Sequence, residues 1–597
     1  MCGIVGYIGG RDAVSVLLKG LKSLEYRGYD SSGVAVHTGS SLALVKRAGR
    51  IMNLEKALSE RRLSGHCGIG HTRWATHGQA TDLNAHPFIS SYGKFAVVHN
   101  GIIANYLELA AFLRGHGVHL LSDTDSEVVA HLIDYYYTGD VLAALCRAAR
   151  EIKGSFALGV ISVYEPGRVY GVRKDSPLVI GKGNGEYALC SDISGISDFC
   201  KEYCPLENGE IAVVEEEGAR IFDFAGKERA VRFEESAEEE ISDRREGEDY
   251  MLSEIREIPI ALAIDGESFP REEIRSLLRR KWSDILLLGC GSAYHAGLVF
   301  QGAMREICGM EIRAEIASEF LTKRSALGAH PLVLAVSQSG ETADTLLAVS
   351  KAKAEGGTVL SVCNVRASSL VRLSDFALIT RCGRERAVAA TKSYVAQARA
   401  LLGICLEYAD IKGKIKKSEL TLLRRDFASL SSKADQVVSA ESYLRSIAPG
   451  VKDAEGVFFL GRGQDFAAAR EGSLKLKEVS YLFSEAYPSG ELKHGTLALM
   501  EKGVYGVIIA TDPALAEKNA ATVSEITCRG ASAIVIASES VAPEMRADYV
   551  IAVPDIHPVF SPILSAIAMQ QLSYFVAKAR GCDVDKPRNL AKSVTVE

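Results

Sequence analysis

The 597-residue chain contains no C-x-x-C pair, although it carries 13 cysteines. An odd number of thiols without regular spacing argues against a disulfide framework or a zinc cluster. It points instead to reduced thiols in a cytoplasmic protein, most of them small core residues. No apolar run reaches the roughly 18–20 residues that a membrane span needs. The start of the chain has no basic stretch followed by an apolar core, so no signal peptide is read there. Positive charge is not in excess: the formal net charge is −6, which gives no electrostatic footing for nucleic acid. What remains is ordinary for a soluble globular protein, with 47% hydrophobic and 24% charged residues. A chain this long exceeds one core and implies two to four domains.

Up to about residue 225 the sequence is rich in short β-type runs such as GIVGYI, GVAVHT, KFAVVHNG and FALGVISV. Helical stretches are expected around 11–25 and 126–150, and the mixture fits an α+β layered domain. Phe233 to Asp249 is polar, acidic and without apolar periodicity, and reads as a linker. Beyond it, buried-strand runs alternate with helical stretches (DILLLGCG, PLVLAVSQSG, TVLSVCNV), the pattern of a doubly wound parallel sheet. That pattern recurs: GVFFLGRGQDF resembles DILLLGCGSAY, and YGVIIATD resembles PLVLAVSQ. A repeat of about 170 residues accounts for 250–582, and a short tail follows.

Several stretches carry chemistry. Cys2 directly follows Met1. It is either a small residue opening a buried strand or, once Met1 is removed, a thiol whose own α-amine serves as its base. SQSGET (Ser337 to Thr342) follows an apolar strand and precedes a helix. Ser337, Gln338, Ser339 and Thr342 with the backbone N–H groups there suit a phosphate better than a merely polar turn. GCGSAY is a poor dinucleotide fingerprint, because Tyr294 stands where the third glycine belongs; it reads as a second anion-friendly turn, with Ser292 adding a hydroxyl. Glu471, Lys475 and Glu478 share one helical face, either as a solvated ion-pair stripe or as proton-transfer groups. HTRWATHG and VHNG are dense in polar groups beside strand signals, which is costly to bury without partners. SDTDSE is an acidic capping turn or an ammonium site.

Together MCGIVGYIG, LEYRGYDSSG, GHTRWATHG, VHNGII, SDTDSEV, SQSGETADTL, LKLKEVSY, GELKHG and KPRNLAKSVTVE resemble, over essentially the full length, the glutamine–fructose-6-phosphate aminotransferases (isomerizing), the glucosamine-6-phosphate synthases. The resemblance implies an α+β N-terminal-nucleophile (αββα) glutaminase domain joined to two α/β doubly wound sugar-isomerase domains. The divisions expected are glutaminase 2–232, linker 233–250, isomerase domains 251–420 and 421–582, and tail 583–597. It implies Cys2 as nucleophile, Asn100 and the Gly101 N–H as oxyanion hole, and Arg73, Thr76, His77 and Asp125 as glutamine-binding residues. Trp74 would gate ammonia and Arg27 would support the nucleophile. Ser292, Ser337, Gln338, Ser339, Thr342 and Val388 would bind the sugar phosphate. Lys592 would form a Schiff base, with burial or a cationic neighbour such as Arg588 lowering its pKa. Glu478, with Lys475 nearby, would move the proton between C1 and C2, and His494 of a second copy would assist ring opening.

No cofactor and no metal are implied. The substrates would be L-glutamine and D-fructose 6-phosphate, and the enzyme a cytoplasmic homodimer joined through its isomerase domains, without nucleic-acid or membrane partners. Ala293, Ala390 and Thr496 depart from common family residues, as do Asp249 and Ser253, which bears on sugar affinity and interdomain contacts. Alternatives are a related amidotransferase or deglycase acting on another sugar phosphate, and a non-catalytic sugar-phosphate sensor.

Overall fold

The structure, a computed structural model, describes residues 2–75, 77–235, 247–324 and 327–594. The chain divides into two compact units, residues 1–237 with 593–597 and residues 238–592.

The first unit contains two antiparallel sheets, of eight and seven strands. In one, Gly3–Gly9 lies between Cys67–Arg73 and Glu186–Cys190; in the other, Phe95–Ile103 pairs with Gly154–Ser162. Every residue of Gly3–Gly9 is buried, because both faces of its sheet are covered. Val5 and Tyr7 pack with Leu17 and Leu21 of the helix Ala13–Leu24. Ile4 and Ile8 pack with Val98 and Ala157 of the second sheet. The outer face of that sheet, with Val97 and Leu158, packs on Val129, Leu132 and Leu145 of two further helices. The layers are therefore helix, sheet, sheet, helix, as the resemblance implies.

The helix expected over 11–25 runs from Ala13 to Leu24, with the Asp12 carboxylate accepting from the Ser15 N–H as its cap. The one expected over 126–150 is two helices, Glu127–Tyr136 and Val141–Glu151. Gly139 adopts φ +111° between them, and Asp140 caps the second through the Ala143 N–H. Ile51–Glu60 and Tyr106–Gly115 are helices that the sequence reading did not include. The first buries Ile51, Leu54, Ala57 and Leu58 at helical spacing. Of the expected linker, residues 236–246 lie outside the described residues. Glu234–Glu235 pairs with Glu202–Tyr203, and Asp249 directly precedes the helix Tyr250–Arg256.

The second unit holds two five-stranded parallel sheets with the same strand order. Ile285–Gly289 is followed across the sheet by Leu332–Ser337, Thr358–Cys363 and, at the edge, Phe376–Ile379. Gly456–Gly461 is followed by Val504–Ala510, Ser532–Ser538 and Tyr549–Val553. In both, the first strand runs into a glycine of left-handed φ, Gly291 at 54° and Gly463 at 56°, which opens a helix of 17 residues. These helices, Ser292–Cys308 and Gln464–Ser480, share one apolar core with Lys392–Lys412 and Ser561–Ala579, through residues such as Val299, Leu476, Leu401 and Leu572. The two repeats thus form one compact unit. Among the described residues no helix is long and apolar enough to cross a membrane.

Candidate active sites

The first site is built at one end of the two-sheet sandwich. Cys2 precedes the strand Gly3–Gly9, and the register Gly3 opposite Thr72 brings Arg73 alongside it. The Trp74 N–H donates to Cys2 Sγ at 3.3 Å, and the thiol faces the Trp74 carbonyl at 3.6 Å. From the second sheet, Asn100 Nδ2 donates to the Cys2 carbonyl at 3.1 Å. Gly101 follows with φ +123°, where an added Cβ would stand 2.0 Å from the Ser155 carbonyl oxygen. Burial raises the Cys2 thiol above its ordinary pKa; the Trp74 N–H and Arg73 pull it down without prevailing. The thiol therefore needs a base before it can act as a nucleophile.

Arg73 is buried, and its guanidinium donates to the carbonyls of His77, Gly78 and Gln79. Asp125 is buried too, accepting from the Ile103 N–H at 2.8 Å and the Ser126 hydroxyl at 3.1 Å. The Trp74 ring meets Tyr29 edge-on with centroids 5.6 Å apart, and the His77 ring meets Tyr106 at 5.9 Å. Arg27 pairs with Asp192 at 2.5 Å. Thr76 lies outside the described residues. In SDTDSE the capping is done by Glu127, whose carboxylate accepts from the Leu121 and Ser122 N–H groups. Burial opposes its ionisation, but His131 and those donors hold it at about 2. Sequence reasoning missed His71, which reaches Asn100 Oδ1 at 3.0 Å, and the pair His99 and Ser126 at 2.7 Å. The only signal for them was the polar density of HTRWATHG and VHNG.

The second site is a cavity of about 160 Å³ at the carboxyl end of Leu332–Ser337. Ser337, Gln338, Ser339, Thr342 and Val388 line it from the first repeat, Lys475 and Glu478 from the helix Gln464–Ser480, and Lys592 from the tail. The turn is shaped by its own hydroxyls: Ser337 Oγ accepts from the Gly340 N–H at 3.0 Å, and Ser339 Oγ from the Glu341 N–H at 3.2 Å. Ala293 and Ala390 also line the cavity. Ser292 lines it with its hydroxyl committed to protein partners, donating to Glu471 at 2.8 Å and accepting from Lys475 at 3.2 Å.

The face carrying Glu471, Lys475 and Glu478 is not a solvated stripe. Glu471 and Lys475 are fully buried, because the helix packs against the first repeat. Lys475 Nζ lies 2.6 Å from Glu478 and 3.4 Å from Glu471, which also holds His295 at 2.8 Å. The two carboxylates diverge. Burial would raise Glu471, but Lys475, His295 and Ser292 carry it below its ordinary pKa. For Glu478 burial outweighs Lys475, and its pKa rises. A carboxyl whose pKa is raised beside one whose pKa is lowered is the usual division between a proton-transfer group and an electrostatic support.

Lys592 rests on a carboxylate. Its ammonium contacts the Glu385 carboxylate, whereas Arg588 lies over the Tyr481 ring, 4.2 Å from its centroid. Glu385 is buried and accepts from the N–H and hydroxyl groups of both Thr391 and Ser393. Burial opposes its ionisation, yet Lys592 and those donors hold it at about 2. Neighbouring Glu254 is pushed the other way, to about 8, by burial and by the Glu385 charge. Glu385 sits in no pattern that marks it, since RERAVAATKS has no helical or strand period, and Glu254 lies in the short helix Tyr250–Arg256. His494 ends the short turn Ser489–His494, is exposed, and does not line this cavity.

The chain matches the SIS domain over residues 278–402 and 451–577 and the glutamine amidotransferase domain over 71–198. It is 42% identical over 608 residues to the glutamine–fructose-6-phosphate aminotransferase (isomerizing) of Clostridium tetani, and 41% identical over 614 residues to that of Symbiobacterium thermophilum. Both chains are covered in full in each case. The solved C-terminal domain of glucosamine-fructose-6-phosphate aminotransferase from Francisella tularensis matches with a TM-score of 0.55 at 33% identity, over 58% of this chain and all of that one. With a glutamine amidotransferase domain, two SIS domains and full-length identity at this level, the chain belongs to the glutamine–fructose-6-phosphate aminotransferase (isomerizing) family.

Proposed function

We propose that this chain transfers the amide nitrogen of L-glutamine to D-fructose 6-phosphate and isomerises the product, giving D-glucosamine 6-phosphate and L-glutamate. The observation that carries the reading is the content of the second cavity. One cavity combines a hydroxyl-rich strand-to-helix turn for a phosphate, a lysine held by a buried carboxylate, and a glutamate of raised pKa.

In the first site Cys2, its thiol deprotonated by its own α-amine once Met1 is removed, attacks the glutamine amide; the C–N bond breaks, ammonia leaves with that proton, and water cleaves the resulting thioester to release glutamate. Negative charge on the tetrahedral oxygen is met by the Asn100 amide and the Gly101 N–H, which act on charge present only as the bond forms. Arg73 receives the substrate carboxylate and Asp125 its ammonium. In the second site Ser337, Gln338, Ser339 and Thr342 take the sugar phosphate. Lys592 adds to the ketose carbonyl once its ammonium, resting on Glu385, has given up a proton. Ammonia released from glutamine then replaces the lysine nitrogen at C2, which frees the Lys592 amine, and Glu478 moves a proton from C1 to C2 to give the amino aldose. His494, exposed here, serves the cavity of a second copy, so the working form is a homodimer; the compartment assigned to it is the cytoplasm. Glutaminase chemistry is assigned to residues 2–232 and sugar chemistry to 251–582 together with Lys592 of the tail.

The test uses glutamine labelled with heavy nitrogen at its amide, together with fructose 6-phosphate and no added metal or cofactor. Labelled glucosamine 6-phosphate formed in step with glutamate is the expected result. Glutamate without labelled amino sugar would overturn the acceptor and turn the search to other ketose phosphates.

A further inference from the structure

Three histidines are buried behind Cys2, and the mechanism above uses none of them. His71 stands on Cys67–Arg73, His99 on Phe95–Ile103, and His86 between them, its ring centroid 4.1 Å from that of His71. All three are at most 3% exposed. Burial pushes His71 down to about 3, and lowers His99 and His86 as well. The rings are therefore neutral, and each has one N–H to place.

The partners decide where those protons sit. His71 Nε2 lies 2.9 Å from the His99 carbonyl and 3.0 Å from Asn100 Oδ1. A carbonyl only accepts, so Nε2 carries the proton. The amide of Asn100 must then turn its oxygen to His71, which leaves Nδ2 pointing to the Cys2 side, where it donates to the Cys2 carbonyl at 3.1 Å. On the other ring, His99 Nδ1 is 2.7 Å from Ser126 Oγ, and the Ser126 hydroxyl donates its single proton to Asp125 Oδ1 at 3.1 Å. His99 must be the donor, so its proton is on Nδ1. Asp125 Oδ2 is fixed separately by the Ile103 N–H.

We infer that His71 and His99 are positioning residues for opposite ends of the bound glutamine. His71 aims the Asn100 amide at the developing oxyanion, and His99, through Ser126, orients the Asp125 carboxylate toward the substrate ammonium. The inference rests on the roles proposed above for Asn100 and Asp125. It assigns the two histidines different kinetic signatures. An interaction realised only in the transition state shows in kcat, whereas one made equally with the bound ground state shows in KM.

The experiment measures glutamate release in the full chain. Asn100→Ala and Asp125→Ala come first; if Asn100→Ala leaves kcat unchanged or Asp125→Ala leaves KM unchanged, the underlying site assignment fails. With those in hand, His71→Leu is expected to lower kcat by about 10²-fold, the scale of a lost oxyanion donor, with KM kept. His71→Gln, whose amide N–H falls near the position of Nε2, restores most of kcat. His71→Leu in the Asn100→Ala background adds no further loss. His99→Leu and Ser126→Ala are expected to raise KM about tenfold, equivalent to about 1.4 kcal/mol, with kcat kept, and His99→Asn restores KM. Equal effects of the two histidines on kcat and KM, or none, would overturn the inference. A readout free of variants is nitrogen NMR of the native chain labelled in histidine. It should show neutral rings of opposite tautomer, Nε2–H at His71 and Nδ1–H at His99, and the reverse assignment would also overturn it.

Discussion

Gly101→Ala puts the oxyanion-hole argument under the most direct load. The added Cβ would stand 2.0 Å from the Ser155 carbonyl oxygen, 2.8 Å from its carbon and 2.9 Å from Phe156 Cα. All three are backbone atoms of the paired strand, in which Gly101 lies opposite Phe156, so no side chain can swing aside. Regaining ordinary contact at 3.4 Å or more displaces the residue 101 backbone by more than about 1 Å, and a misplacement of that size costs about 10²-fold in rate. The φ of +123° adds roughly 1–3 kcal/mol of strain for an L-residue. Loss of one oxyanion donor costs about 10²–10³ in kcat, or about 2.7–4 kcal/mol. The expected outcome is a fall of that size in kcat for glutamate release. KM for glutamine should stay within about threefold, because Arg73 and Asp125 are untouched. Gly93→Ala is the control. It too has a positive φ, of 69°, but its Cβ would have nothing nearer than 4.0 Å, so it bears strain without displacement and keeps its kcat. Steady-state kinetics with thermal unfolding of each variant decides the matter. A Gly101→Ala enzyme with kcat within threefold of native would refute the reasoning.

The remaining expectations concern the second unit. Glu385 has a folded pKa of about 2 against an ordinary 4.5. Its ionisation thus contributes stability, on the order of 3 kcal/mol, that is complete above about 4.5 and lost as pH falls toward about 2. Glu385→Gln should unfold in less urea near neutral pH, by a deficit that narrows below pH 4.5, and a deficit independent of pH would contradict the assignment. Glu254 has the opposite sign. Its pKa of about 8 means that folding stability drains away as pH rises from about 4.5 through 8, so Glu254→Gln should flatten the alkaline limb of the stability curve. Lys475→Met leaves Glu471 and Glu478 without their shared cation, and should cost about 3–5 kcal/mol and abolish amino-sugar formation while glutamate release persists. Borohydride added with fructose 6-phosphate should fix the sugar carbon to Lys592; mass spectrometry finding the adduct on another lysine would remove Lys592 from its role.

The legible parts of the sites were those in which placement follows from local order. SQSGET was readable because strand, turn and helix occur in sequence, and that order alone brings four polar side chains and a helix start to the carboxyl end of a sheet. The repeat was readable because buried parallel strands are nearly continuous apolar runs, and the two sheets have the same order. The helix Ile51–Glu60 had a usable period but was short and stood among strand signals. The stretch 126–150 carried enough helical character to hide the break at Gly139. Arg588 was a poor guess for a neighbour of Lys592 because nearness along the chain says nothing about a tail that folds back: Glu385, the actual partner, is 207 positions away.

The sequence by itself carried the doubled α/β unit, through its apolar runs and their linear order, and the family, through its motifs; the helix–sheet–sheet–helix layering and most candidate side chains followed from that resemblance. Only the tertiary structure decided their states. Whether Glu471, Lys475 and Glu478 form a wet stripe or a buried proton-handling face depends on what the helix packs against. Whether Lys592 meets a cation or a carboxylate depends on which loop lies beneath the tail. The tautomers of His71 and His99 depend on register between two strands. Ionisation and hydrogen-bond direction are set by desolvation and by partners brought together across long sequence separations, and no local pattern records either.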